Sequence, residues 1–276
     1  MKLNFTRTFL ALAAATLFYT GCKKDTVKPA VTTPVTTATD FKALSSQTAL
    51  MFYKSINGQY GGTDISKGIS SPFSTKTGRR VVNSIAPLCG FVIDTSYNYT
   101  IDNGQNKLSL TDTLKTYSGR FRFQFTCTSG NVDGYDVADT VDYIERNAFT
   151  FYNSISVAQN YNVKALDQTY KLVSMDGTLT SWAGYDQTFA EQGTSLNASY
   201  VLAGLRVNFA SGIADITQGT ATFHIVYYPL HSFDVPFTPS TYDGSIQFLG
   251  NHMAKLTINP GHVYMVNLLT GVVTPV

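Results

Sequence analysis

Arg120-Phe121-Arg122-Phe123-Gln124-Phe125-Thr126-Cys127 is the stretch that decides the fold. Polar and apolar side chains alternate without a break. Alternation at a period of two is the signature of a strand with one face on a core and the other in water. Three phenylalanines and Cys127 share the core-directed face. The same alternation runs through Cys89-Gly90-Phe91-Val92-Ile93, where Cys89 lies on the side of Phe91 and Ile93.

The pattern repeats along most of the chain. Strands are expected at Tyr97–Asp102, Lys107–Leu114, Tyr135–Glu145, Tyr170–Met175 and Thr178–Trp182. Later ones are expected at Ser199–Phe209, Thr220–Tyr228, Ser245–Leu249, Ala254–Ile258 and Val263–Leu268. Asn103-Gly104 and Asp176-Gly177 read as tight hairpin turns. Ser129 to Gly134 separates the Phe-rich strand from the next. Pro229, Pro236 and Pro239 mark a long loop. Short gaps without helices imply antiparallel, sequential pairing. Glutamate occurs only at Glu145 and Glu191, while Thr, Ser, Tyr and Phe are plentiful, which favours sheet.

One helix is expected, over 40–57. Asp40 is its N-cap, Gly58 its stop, and Phe41, Leu44, Leu50, Phe52, Tyr53 and Ile56 gather toward one side. Such a stripe packs on a sheet. The fold class is therefore all-β: a mainly antiparallel sandwich or strongly curved sheet with one N-terminal helix, forming a single domain over 40–276. A half-barrel cupping the helix is the alternative arrangement.

The N-terminus carries an export signal. Lys2 and Arg7 form its basic region, Phe9 to Phe18 its apolar region, and Tyr19-Thr20-Gly21-Cys22 its end. The apolar run is too short to span a bilayer. Residues 1–21 are read as a lipoprotein signal peptide and Cys22 as the lipid-bearing, palmitate-type N-terminus. Residues 22–39 form the lipid-bearing cysteine and a Thr/Pro tether, whose fourteen residues 26–39 reach roughly 40 Å at full extension. Gly21-Cys22-Lys23-Lys24-Asp25 followed by the Thr/Pro tract resembles the start of Bacteroidota-type lipoproteins. That resemblance implies an extracytoplasmic protein held to the outer membrane through its lipid. Only Asp25 is acidic after the cysteine, so the sequence does not choose between the periplasmic and surface faces. A half-barrel cupping its helix would resemble periplasmic lipid-carrier folds in architecture.

Losing Lys2 and Arg7 brings the basic residues level with the 18 acidic ones. A neutral surface offers no pull on nucleic acid. Cys89 and Cys127 remain as an isolated pair. Outside the cytoplasm a disulfide between them is the expected state, with both sulfurs directed to the core. Closing 38 residues contributes roughly 4 kcal/mol in the chain-entropy view.

No Gly-x-Ser-x-Gly, His-Glu-x-x-His, Walker or dinucleotide motif occurs. No catalytic residue, cofactor or metal ligand is assigned. His224, His231, His252 and His262 lack a ligand spacing. Asp133, Asp136, Asp139, Asp142 and Glu145 recur every third residue. On a strand they divide between faces, Asp133, Asp139 and Glu145 on one and Asp136 and Asp142 on the other. They read as a solvated loop and an edge strand. Trp182-Ala183-Gly184-Tyr185 is the candidate binding stretch, with Trp182 and Tyr185 as a stacking platform for a sugar. The functions these features suggest are a non-catalytic envelope lipoprotein of structural or interaction type, a glycan-binding surface module, or a half-barrel carrier of an apolar ligand. The expected partners are the membrane through the anchor, and a glycan or an envelope protein.

Cys22→Ala is expected to release the protein from membranes or block its maturation. Cell fractionation with intact mass of the extracted protein tests this, and unchanged acylation would refute the anchor.

Overall fold

The computed structural model describes residues 39–69, 89–102, 113–147, 151–187, 192–232 and 238–276. The expected signal peptide, Cys22 and nearly all of the tether lie outside them.

Among the described residues, eleven strands form one antiparallel sheet in strict sequence order. They are β1 (Val92–Asp102), β2 (Leu114–Thr128), β3 (Asn131–Arg146), β4 (Phe151–Ala165), β5 (Leu172–Gln187), β6 (Gln192–Asn208), β7 (Asp215–Ser232), β8 (Ser240–Gly250), β9 (Met253–Ile258), β10 (His262–Asn267) and β11 (Val273–Pro275). The helix α1 (Phe41–Ile56) precedes them. Asp40 caps it, accepting hydrogen bonds from the backbone N–H groups of Lys42 and Ala43. Gly58 ends it with φ at 59°, a conformation glycine takes without a Cβ penalty.

The alternation in β2 is realised as read. Phe121, Phe123 and Phe125 are buried, while Arg120, Arg122 and Gln124 face water. Every long strand behaves likewise, so the sheet has one apolar face and one polar face. The apolar face closes on α1. Phe52 is fully buried, with its ring centroid 5.3 Å from Tyr200 on β6 and 5.4 Å from Phe248 on β8. Phe41 stacks on His262 of β10 at 3.8 Å. The Gln159 amide of β4 donates to the Ser55 carbonyl, and the Tyr200 hydroxyl to the Thr48 carbonyl.

From β4 to β10 a flat sheet would extend about 29 Å, six spacings of about 4.8 Å. Sixteen residues make α1 about 24 Å long, and its contacts to β10 and β4 come from its two ends, Phe41 and Ser55. The architecture is a curved, unclosed sheet with α1 on its apolar face, and not a sandwich.

Cys89 and Cys127 form the expected disulfide, with Cα atoms 5.6 Å apart. Their direction differs from expectation. Both follow the core-facing parity, but they lie at strand ends past the buried stretch, so Cys89 is exposed and Cys127 half-buried. The link clamps the start of β1 to the end of β2.

Three turn readings change. Asp176-Gly177 is not a hairpin turn; it sits inside β5 at a bulge. Gly177 has φ at 143°, and a Cβ there would come within 2.3 Å of the Asn160 carbonyl oxygen. Glycine is needed for close backbone approach, not for reversal. Asp176 instead accepts a hydrogen bond from Gly204 N–H on β6. The Ser129–Gly134 separator shrinks to Ser129-Gly130, both with positive φ, because Thr128 pairs with Asn131. Pro229 lies within β7 rather than in a loop. The Asn103-Gly104 turn falls outside the described residues; around it, Asp102 pairs with Leu114.

Phe52→Ala is expected to lower unfolding stability by roughly 3–5 kcal/mol, since the fully buried ring packs on Tyr200 of β6 and Phe248 of β8. Urea denaturation measures it; a loss below 1 kcal/mol would contradict the packing.

Candidate functional site

The polar face carries a depression of about 360 Å³ centred on β3 to β6. Strand register builds it. Asp142 lies opposite Ser156, Ser156 opposite Trp182, and Trp182 opposite Asn197, giving one row across four strands. Thr140, Ala158 and Thr180 form the neighbouring row in the same way. Three strand spacings make the first row about 14 Å long. Ala158 and Ser156 are short, so the floor of the depression lies at β4 and taller side chains rise on either side.

Trp182 is held by its own strand. Its six-membered ring lies over Gly184, where a Cβ would come within 2.6 Å of Cη2. Glycine at 184 leaves the space that the indole occupies. The Asp142 carboxylate accepts a hydrogen bond from the Ser156 hydroxyl through Oδ1. Its Oδ2 makes no hydrogen bond among the described residues, and neither does the Asn197 side chain. The site therefore offers one aromatic ring, one carboxylate oxygen, one amide and two threonine hydroxyls, all at the surface. Asp142 is its one charged group.

Tyr185 does not share this site. It is three residues from Trp182, an odd spacing that places it on the opposite face of β5. It is 41% exposed and stacks with Phe151 at 6.3 Å. With Leu50, Met51 and Lys54 of α1, and with Tyr60 and Tyr227, it lines a groove of about 250 Å³ at the rim of the concave face. Burial pushes the Tyr60 hydroxyl up to about 12, so it stays protonated. The expected two-residue platform of Trp182 and Tyr185 is thus two separate surfaces.

The acids of β3 divide largely as parity predicts. Asp136 and Asp142 are exposed on the outer face, and Asp136 accepts a hydrogen bond from the Asn162 amide. The solvated-edge reading fails for Asp139, which is 2% exposed on the core face. β3 is an interior strand, paired with both β2 and β4, so its core-facing positions are covered.

Among the described side chains, His224, His252 and His262 do not converge. His224 pairs with Asp243 across β7 and β8 on the surface, at 2.8 Å. His252 lies at the β8–β9 turn with its N–H bonded to Asp215, and His262 stacks on Phe41. No group of three or more His, Cys, Asp or Glu able to hold a metal occurs among the described residues.

Among the described residues no helix is long and apolar enough to cross a membrane. Comparison with protein-family models, with curated proteins and with solved structures finds no match for this chain.

Gly184→Val is expected to displace the indole, because the new side chain occupies its place. The chain has a single tryptophan, so its emission reports the change directly. An unshifted spectrum would mean the ring does not lie over Gly184.

Proposed function

We propose that this protein is a non-catalytic, lipid-anchored envelope module that binds a glycan on the outer face of its curved sheet, at Trp182. The observation that carries the reading is the row Asp142–Ser156–Trp182–Asn197. Sugars present apolar C–H patches and a ring of hydroxyls. A flat aromatic ring takes the first, and carboxylate, amide and hydroxyl groups take the second. The row is longer than a single side chain's reach, which suits a short oligosaccharide lying across the strands. The single carboxylate suits a neutral ligand, since it accepts hydroxyl protons without a second charge to balance.

The anchor reading supports the same conclusion. Lipid at Cys22 and a Thr/Pro tether would hold the β domain off the membrane and leave its outer face free for ligands. The concave face supports a carrier role less well, because Leu44, Phe52 and Ile56 of α1 fill it.

Glycan-array screening of the extracted protein tests the reading. Wild type is expected to bind a defined set of neutral oligosaccharides with a change in Trp182 emission. Trp182→Ala is expected to lose binding by at least tenfold, and Tyr185→Ala to keep it. A flat array for the wild type, or binding that survives Trp182→Ala, would contradict it.

A further inference from the structure

Asp139 is buried without a counter-charge. Its Oδ2 accepts two hydrogen bonds from Thr63, from the backbone N–H and from the hydroxyl, each 2.9 Å. Gly62 presses on the same oxygen, and a Cβ there would come within 2.7 Å of it. Its Oδ1 has no hydrogen-bond partner among the described residues. Directly opposite on β4 stands Gln159, also 2% exposed. Gln159 donates its amide nitrogen to the Ser55 carbonyl at 2.8 Å. A backbone carbonyl can only accept, so this bond fixes the orientation of the amide. The remaining atom, Gln159 Oε1, is again buried without a partner.

Two neighbouring buried side chains thus each present one orphan acceptor. An unmatched buried acceptor is costly, and a buried charge without a partner costs more. One proton removes both penalties. We propose that Asp139 is a carboxylic acid in the folded protein and that its Oδ1–H donates to Gln159 Oε1. The pair then completes a chain from Thr63 through Asp139 and Gln159 to Ser55. That chain ties the segment following α1, and the last turn of α1, to β3 and β4.

The surroundings agree. The titratable groups around the carboxyl are Asp64 on the segment after α1, Tyr97 on β1, Tyr135 on β3 and Tyr161 on β4. α1 contributes only the Ser55 carbonyl to the chain. None of these groups is cationic, and no Lys, Arg or His acts on Asp139. Burial pushes its titration up to about 7, against the opposing bonds from the Thr63 hydroxyl, the Thr63 N–H and its own backbone N–H. An unfolded Asp titrates near 3.9. The folded state therefore holds the proton more tightly between about pH 4 and pH 7. Through that window this group makes stability fall as pH rises; below and above it the contribution is flat.

Titration of the full chain by NMR with ¹³Cγ-labelled aspartate tests the proposal, alongside melting curves from pH 4 to pH 8. One Asp resonance is expected to stay at its protonated position at pH 5.5, where exposed carboxyls are ionised, and to be missing from Asp139→Asn. Asn supplies an N–H donor in place of the acid O–H, so Asp139→Asn is expected to fold and to lose the Asp139-dependent fall in melting temperature between pH 4 and pH 7. An ionised Asp139 resonance at pH 5.5, as a carboxylate bridged by a buried water would give, overturns the proposal. Parallel melting profiles for wild type and Asp139→Asn also overturn it. If Asp139→Asn does not fold, Gln159→Glu in the wild-type background identifies the resonance by the shift it causes. The decision then rests on the wild-type ionisation state alone.

Discussion

Among the described residues, eleven strands expose one continuous apolar face, and one α-helix with the short segment after it, which buries Ile65 and Ile69, covers it. That mismatch governs the architecture. A flat sheet of this width would leave most of its inner face wet, so the strands curl until α1 meets several of them at once. Phe52 against Tyr200 and Phe248, Phe41 on His262, and Gln159 on Ser55 are contacts made along the length of that one helix. The sheet needs the helix to exclude water from its concave side. The helix, at 16 residues, is near the lower limit for helices that persist alone and needs the sheet in turn.

This arrangement divides the molecule's work between its faces. The concave side is committed to packing, and several of its polar groups tie α1 to the strands, as the Tyr200 hydroxyl does by donating to the Thr48 carbonyl. The convex side keeps the polar half of every alternating strand. Ligand chemistry built there does not disturb the core, because neighbouring residues on a strand point to opposite faces. Trp182 and Ser181 illustrate the division: the indole borders an open depression, while Ser181 is buried beside it in sequence.

Strands and helix were legible in the sequence because they are local. Arg120 to Cys127 shows its period in eight residues, and the cap at Asp40 needs only the next three. Curvature was harder to read, since it depends on how many strands must share one helix. Asp176-Gly177 misleads because the dipeptide that favours a turn also suits a bulge, and only the neighbouring Asn160 backbone separates the two. Asp139 departs from the sequence expectation because a lone acid on a strand usually faces water. The signal for the correct reading was its parity with Tyr135, Val137 and Val141, which outweighs charge once both neighbouring strands are in place. Trp182 borders the outer depression, but sequence proximity does not join Tyr185 to it, because a period of two puts residues at an odd spacing on opposite faces. Asp142, Ser156 and Asn197 come from three other strands. Only the register brings them beside Trp182.

The central claim is that one helix occupies the concave face of a single curled sheet. Nuclear Overhauser contacts from the Phe52 ring measure this most directly. The account predicts contacts from that one ring to both the Tyr200 ring on β6 and the Phe248 ring on β8. A Phe52 ring in contact with neither strand, or with residues of the outer face, would contradict it.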